Sequence, residues 1–213
     1  MSTLSGILQH KIVAIIRGAE AGDVMKFATA LYKGGVRILE VTLNSPDALG
    51  AIELLSLEMS GKMFVGAGTV LSPEAAREAI AKGASFIISP SLDLSVIQAT
   101  KLSGAVSIPG ALTPTEILTA YNNGADIIKV FPASVGPRYF KDLRGPFPQI
   151  PLMPTGGVSL DNIREYQKAG AVAYGIGSSL IDTSKEITDE YLEAVTQNAK
   201  ALMAAVQPIN TTV

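Results

Sequence analysis

The chain has 213 residues, of which 47% are hydrophobic and only 17% are charged, and its formal net charge is −2. This composition predicts a folded protein with a large core and excludes a disordered chain, and without a basic tract nothing indicates nucleic acid or an anionic membrane as a partner. Because cysteine is absent, disulfides, cysteine nucleophiles and thiolate metal sites are excluded. The lean share of charged residues indicates weakly that neighbouring subunits cover part of the surface.

No apolar run approaches the ~20 residues of a membrane span. The N-terminus lacks the basic and apolar segments of a secretory signal. We therefore expect a cytoplasmic protein.

Short apolar runs alternate with amphipathic segments along the whole chain. Strands are predicted at 12–16, 36–42, 63–67, 86–89, 106–108, 127–131, 152–153 and 172–176, and helices at 22–33, 46–60, 73–82, 94–102, 114–122, 139–143, 160–168 and near 189–205. Eight β/α alternations without a long linker predict a single α/β domain over residues 1–213, a (β/α)8 TIM barrel with an N-terminal helical extension. An open doubly wound sheet is the competing architecture, but no Gly-x-Gly-x-x-Gly follows the first strand.

Serine or threonine before proline marks three predicted helix starts. Ser45, Ser72 and Thr113 each precede a proline, the arrangement of an N-cap hydroxyl before a first-turn proline. Thr113 and Glu116 also have the spacing of a capping box.

One lysine and one acidic residue lie inside predicted strands. Lys129 and Glu40 each have apolar neighbours on both sides, and in a barrel both side chains can face the interior. Burial lowers the pKa of a lysine, and a neutral amine is a nucleophile that condenses with carbonyl compounds to give a Schiff base. Two plainer interpretations stay open: Lys129 extends its amine to the surface, or the two residues form a buried salt bridge.

The histidine content limits the possible chemistry. His10, ahead of the first strand, is the only histidine. A histidine general base or a multi-histidine zinc site is therefore excluded, and acid–base work falls to carboxylates, lysine, tyrosine, substrate groups or water.

Further candidates follow the strands, where a barrel carries its active site. Arg17 ends the first strand and is suited to grip a carboxylate or phosphate, and Thr69 ends the third with a hydroxyl for a substrate oxygen. Small-residue loops around Gly157 and Ser178 follow strands seven and eight, a frequent phosphate position in barrels. Non-functional interpretations also stay open: Arg17 is a surface arginine in a loop, and Thr69 and the small-residue loops form tight turns. Taken together, these residues favour a Schiff-base lyase that acts on a phosphorylated keto compound without metal or cofactor.

Four motifs then match one family in order along the chain. The segments GVRILEVTL (35–43), VGAGTVL (65–71), IKVFPA (128–133) and PTGGVS (154–159) resemble the 2-keto-3-deoxy-6-phosphogluconate and 4-hydroxy-2-oxoglutarate aldolase family, which includes 6-phosphogalactonate counterparts. The resemblance implies a homotrimeric class I aldolase that releases pyruvate and D-glyceraldehyde 3-phosphate and needs no cofactor.

The resemblance also implies residue roles. Lys129 corresponds to the Schiff-base lysine and Glu40 to the general acid/base, while Thr69 and Phe131 correspond to residues lining the pyruvate pocket. Gly157 and Ser178 correspond to the phosphate-binding positions.

The chain departs from the family pattern at one point. Gluconate-type enzymes often carry arginine directly after the Val-Thr-Leu segment, where this chain has Asn44. The phosphogalactonate branch has an arginine at the end of strand one, matching Arg17, so the carboxylate grip is expected there and the epimer preference stays open. The alternatives to an aldolase are a phosphosugar isomerase or epimerase and a phosphosugar-binding barrel, neither of which forms an imine.

Overall fold

A computed structural model describes residues 1–207 of the chain. Its strands are β1 (Ile12–Ile16), β2 (Ile38–Thr42), β3 (Phe64–Gly68), β4 (Phe86–Ile88), β5 (Val106–Ile108), β6 (Gly110–Ala111), β7 (Ile128–Val130), β8 (Leu152–Pro154) and β9 (Tyr174–Ile176). Its helices are α1 (Thr3–His10), α2 (Val24–Lys33), α3 (Ala48–Glu58), α4 (Pro73–Ala81), α5 (Leu94–Leu102), α6 (Pro114–Asn122), α7 (Pro137–Arg144), α8 (Ile163–Lys168) and α9 (Asp189–Ala205), with a 3-10 turn at Ala133–Val135.

The strands close into a parallel ring. Six of them follow the order β5-β4-β3-β2-β1-β9 and three the order β6-β7-β8. The predicted strand at 106–108 is β5, which pairs with β4, and after Pro109 the chain forms the additional short strand β6, which pairs with β7. A bridge between Thr155 and Gly175 joins β8 to β9 and completes the circuit. The predicted (β/α)8 barrel is confirmed.

Residues alternate between the two faces of each strand, as β geometry requires. One face packs under the helices, and the other fills the inside of the barrel with Val13, Ile38, Ile127 and Met153. Ile7 of α1 belongs to the same inner cluster, so α1 covers the amino-terminal end of the barrel. The carboxyl-terminal end is the open one, and the strands present their last residues there.

The helix boundaries test the capping predictions. Ser72 and Thr113 are N-caps, and Thr113 with Glu116 forms the capping box, as predicted. The prediction for Ser45 was wrong, because α3 begins at Ala48 with Asp47 as its N-cap residue. The Ser45 hydroxyl instead accepts a hydrogen bond from the Gly18 N–H at 2.8 Å, a tertiary contact that outcompetes the local one. None of the helices within residues 1–207 combines the length and apolar character that crossing a bilayer requires.

Candidate active site

The two charged strand residues face the inside of the barrel, near its open end. Glu40 lies two residues after Ile38 on β2, and Lys129 lies two residues after Ile127. The period of two places all four side chains inside. Glu40 is 1% exposed and Lys129 is 3% exposed, so neither side chain reaches the surface freely.

A cleft of about 440 Å³ opens at Lys129, while Glu40 lies outside the lining of this cleft. It brings together five residues that the sequence singled out, and its lining includes Arg17, Lys129, Phe131, Gly157 and Ser178. Since the lining residues follow β1, β7, β8 and β9, the cleft lies at the carboxyl-terminal end, where barrels place their chemistry.

Lys129 has the electrostatics of a nucleophile. Burial lowers the pKa of its ammonium group below the ordinary value, the Glu40 carboxylate opposes this, and the Arg17 guanidinium adds to it. The Lys129 Nζ lies 5.0 Å from the centroid of the Phe131 ring, which is 38% exposed in the cleft. A larger fraction of neutral amine is therefore present than for a surface lysine.

Glu40 has the opposite shift. Burial raises the pKa of its carboxyl group, and the charges of Lys129 and Arg17 work against this. Among residues 1–207 neither carboxyl oxygen of Glu40 accepts a hydrogen bond, and no ion pair joins it to Lys129. The interpretation as a static buried salt bridge is therefore wrong, and Glu40 has acceptor capacity for a proton or a hydroxyl.

A glycine in the neighbouring strand makes room for the Glu40 carboxyl group. A Cβ atom at Gly68 would lie 1.6 Å from Glu40 Oε1, well inside the contact distance of the two atoms. The carboxyl group thus rests directly on the backbone of β3. Only glycine at position 68 allows this placement.

The loops after β8 and β9 form one unit. The Ser179 hydroxyl donates to the Val158 carbonyl at 2.7 Å and ties the two loops together. Asn162 braces the first loop, since its side-chain amide donates to the Gly157 carbonyl at 2.7 Å. Within residues 1–207 the backbone N–H groups of Gly157, Ser178 and Ser179 donate to no other group of the chain. Free N–H donors on fixed loops suit an anion.

The remaining candidates divide between the cleft and its surroundings. Arg17 is exposed at the end of β1 and lines the cleft. Thr69 follows Gly68 with φ 56°, in the left-handed region that a β-branched residue rarely adopts, and it lies outside the lining. Asn44 is exposed and also lies outside the lining.

Sequence reasoning missed Thr155. This residue is 4% exposed, lines the cleft, and its Oγ1 has no hydrogen-bond partner within residues 1–207. A Cβ atom at Gly175 would lie 2.3 Å from that Oγ1, so glycine is required opposite it. The available signal was the period of two, which places Thr155 inside the barrel after Met153.

Fold and site together place a buried amine, a buried carboxyl group and two loops with free N–H groups at the carboxyl-terminal end of a barrel. The family model described as "KDPG and KHG aldolase" matches residues 5–198. The chain belongs to this aldolase family, which makes it a carbon–carbon lyase.

Individual relatives agree with this assignment. The chain is 39% identical over 160 residues to a 2-dehydro-3-deoxy-phosphogluconate aldolase of Pseudomonas aeruginosa, covering 74% of this chain and 72% of the relative. It is 32% identical over 196 residues to the 2-dehydro-3-deoxy-6-phosphogalactonate aldolase of Escherichia coli, covering 91% and 93%. A KDPG aldolase structure from Legionella pneumophila, with pyruvate captured as a covalent carbinolamine, has a TM-score of 0.86 at 30% identity, covering 94% and 98%.

Proposed function

We propose that this protein is a class I aldolase that cleaves 2-keto-3-deoxy-6-phosphogluconate, or its galactonate epimer, into pyruvate and D-glyceraldehyde 3-phosphate. The observation that carries the proposal is Lys129, a buried lysine with a lowered pKa that lines the cleft. It lies close enough to the buried Glu40 for the two charges to interact, and the Glu40 carboxyl oxygens have no hydrogen-bond partner among residues 1–207. The carbinolamine in the Legionella pneumophila relative supports covalent chemistry of the same kind here.

The first half of the reaction forms the imine. The neutral Lys129 amine attacks the C2 keto carbon of the substrate, and the oxygen takes a proton to give a carbinolamine. Loss of water then gives a protonated imine. Glu40 supports both steps, because burial raises the pKa of its carboxyl group above the ordinary value and so favours a form that carries a proton to donate.

The second half breaks the carbon–carbon bond. The C4 hydroxyl loses its proton, the C3–C4 electron pair flows into the imine, and D-glyceraldehyde 3-phosphate leaves. The remaining enamine is protonated at C3, and hydrolysis of the imine releases pyruvate and restores Lys129. Glu40 relays the protons, through a water molecule where distance requires it.

The substrate is held at its two ends. We assign the carboxylate end to Arg17, whose planar guanidinium suits bidentate binding, with Thr69 and Phe131 beside the pyruvate half. We assign the phosphate to the loops at Gly157 and Ser178, where the free N–H groups support the assignment.

The identity of the sugar is the finer part of the proposal. Relatives of both the phosphogluconate and the phosphogalactonate type resemble this chain. Arg17 in the cleft and Asn44 outside it favour the galactonate arrangement for the carboxylate. The same site is suited to 4-hydroxy-2-oxoglutarate, which would give pyruvate and glyoxylate. We further propose a homotrimer that serves the Entner–Doudoroff type of carbohydrate breakdown in the cytoplasm.

The test is pyruvate release in an assay coupled to lactate dehydrogenase, with the two phosphorylated epimers and 4-hydroxy-2-oxoglutarate offered separately. We expect release from at least one phosphorylated epimer, and the ratio of the two kcat/KM values defines the preference. An isomerase or a binding barrel would bind phosphosugar without releasing pyruvate, and that outcome would refute the proposal.

A further inference from the structure

The Arg17–Gly18 peptide crosses the edge of the cleft without support from secondary structure. It follows β1 directly, Gly18 turns the chain with φ 73°, and both residues are exposed. Such a segment would ordinarily leave a long side chain free to move. Here, however, both polar groups of this one peptide unit are engaged by side chains from other loops.

Thr183 holds the carbonyl end of the peptide. Its hydroxyl donates to the Arg17 carbonyl at 2.7 Å. Thr183 is itself fixed, because the neighbouring Asp182 N–H donates to the Tyr191 hydroxyl at 2.7 Å and that hydroxyl donates to the Asp182 carbonyl at 2.9 Å. The contact therefore anchors the β1 loop to a rigid part of the loop after β9.

Ser45 holds the amide end of the same peptide. Its Oγ accepts from the Gly18 N–H at 2.8 Å and lies 3.0 Å from the Oγ1 of Thr42, a fully buried residue at the end of β2. The Ser45 N–H also donates to the Thr42 carbonyl at 2.9 Å, closing a tight turn. The second anchor thus comes from the strand on the other side of β1.

The two anchors together fix the plane of the Arg17–Gly18 peptide, and with it the direction in which the Arg17 side chain leaves the backbone. Among the residues lining the cleft, Arg17 and Lys129 are the cations, and the Arg17 charge shifts the pKa of both Lys129 and Glu40. A small rotation of this peptide would move the guanidinium relative to the reacting groups. Geometry at this level affects binding and rate strongly.

We propose that Ser45 and Thr183 are positioning residues that hold Arg17 where it binds the substrate carboxylate. The inference rests on the proposed aldolase function. It explains why Ser45 is not an N-cap, since its hydroxyl is used for Gly18 instead. It also places part of the substrate selectivity in loops that do not touch the reacting carbon atoms.

The experiment compares Ser45→Ala and Thr183→Val with the conservative variants Ser45→Thr and Thr183→Ser. Loss of one such hydrogen bond should raise KM about two- to tenfold with a smaller change in kcat. The conservative variants, which keep a hydroxyl, should recover most of the loss. Thr29→Val is the matched control, because it removes a threonine hydroxyl that donates to the Met25 carbonyl in α2, away from the cleft.

A double-mutant cycle separates positioning from general damage. In an Arg17→Ala background, Ser45→Ala and Thr183→Val should have no further effect on KM, or on the pyruvate concentration that half-saturates imine trapping if turnover is too slow to measure. Equal losses in both backgrounds, or no loss at all, would overturn the proposal. Failure of the aldolase function itself would look different, because the unmodified protein would then form no pyruvate adduct.

Discussion

The interior of the barrel has two layers built on the same strands. The lower layer, Val13, Ile38, Ile127 and Met153, is apolar and fully buried and is closed from below by Ile7 of α1. The upper layer contains the buried polar side chains of Glu40, Lys129 and Thr155 beside the apolar Ile15.

Only two residues along the chain separate the layers. Ile38 is followed by Glu40, Ile127 by Lys129, and Met153 by Thr155. Each large apolar side chain of the lower layer stabilises the fold by about 1.5–3 kcal/mol. In the upper layer, Glu40 and Thr155 have side-chain oxygens without partners among residues 1–207, so no hydrogen bond within these residues offsets the burial of the oxygens. The apolar side chains of the lower layer thus stabilise the fold, while the upper layer holds the buried polar groups.

The strongest test of this division compares neighbours on one strand. Lys129→Met should abolish turnover, a loss of at least about 10³-fold, because the nucleophile is gone. Its free energy of unfolding should stay equal or rise, since methionine keeps the apolar stem and removes the cost of burying the amine. Ile127→Ala should behave in the opposite way. Its free energy of unfolding should fall by about 2–5 kcal/mol, while its turnover should persist at temperatures below its Tm.

Urea unfolding and the coupled assay, run on both variants, measure the two effects. A Lys129→Met variant as unstable as Ile127→Ala would contradict the division into layers. So would an Ile127→Ala variant that stays folded and loses turnover to the same extent as Lys129→Met.

A smaller effect is expected from the glycine beneath Glu40. Gly68→Ala places a methyl group in the position of Glu40 Oε1 and should displace the carboxyl group, lowering kcat about 10²- to 10⁴-fold. Gly22→Ala is the matched control, because a Cβ atom there meets nothing within 4 Å. The measurements are kcat and Tm for each variant.

If Gly68→Ala folds poorly, the same substitution can be tested in a chain that already carries Glu40→Ala. With Glu40→Ala, the space beside position 68 is free, so Gly68→Ala should cost little stability there and much in the unmodified chain. Equal destabilisation in both backgrounds would show that Gly68 does not position Glu40.

The smallest effect concerns the dependence of stability on pH. Because the pKa of Glu40 is raised from 4.5 on folding, the native state binds more protons than the unfolded state above pH 4.5. The contribution of Glu40 to the stability should therefore fall as pH rises from 4.5 through the raised pKa. Glu40→Gln lacks this titration. The free energy of unfolding of the variant minus that of the unmodified protein should therefore grow over that pH window and then level off.

Urea unfolding from pH 4 to pH 8 measures the difference, with the exposed Glu78→Gln as control. An advantage of Glu40→Gln that stays constant or shrinks with rising pH would contradict the burial of a carboxyl group in the upper layer.

Much of this architecture could be predicted from the sequence, because local periodicity carries it. The alternation of eight apolar runs predicts the barrel, and the period of two predicts that Lys129 and Glu40 face inward. The positions of the small-residue loops at Gly157 and Ser178 could be predicted, because the order of the strands along the chain gives the order of the loops around the barrel.

Contacts between strands could not be predicted in this way. The position of Glu40 over Gly68 depends on the register of β2 with β3, in which Glu40 pairs with Gly66 and Thr42 with Gly68. Register is a property of the assembled sheet and leaves no local signal. The same holds for Ser45. Its local sequence predicts an N-cap, but its hydroxyl accepts a hydrogen bond from the N–H of Gly18, which lies 27 residues earlier in the chain.

The central claim is that Lys129 forms an imine with pyruvate. The most direct measurement is borohydride reduction in the presence of pyruvate, followed by intact mass and peptide mapping of the unmodified protein and of Lys129→Met. We expect one reduced pyruvate adduct per chain, on the peptide that contains Lys129, and none on the variant. An adduct on another lysine, or turnover of substrate without any trappable adduct, would contradict it.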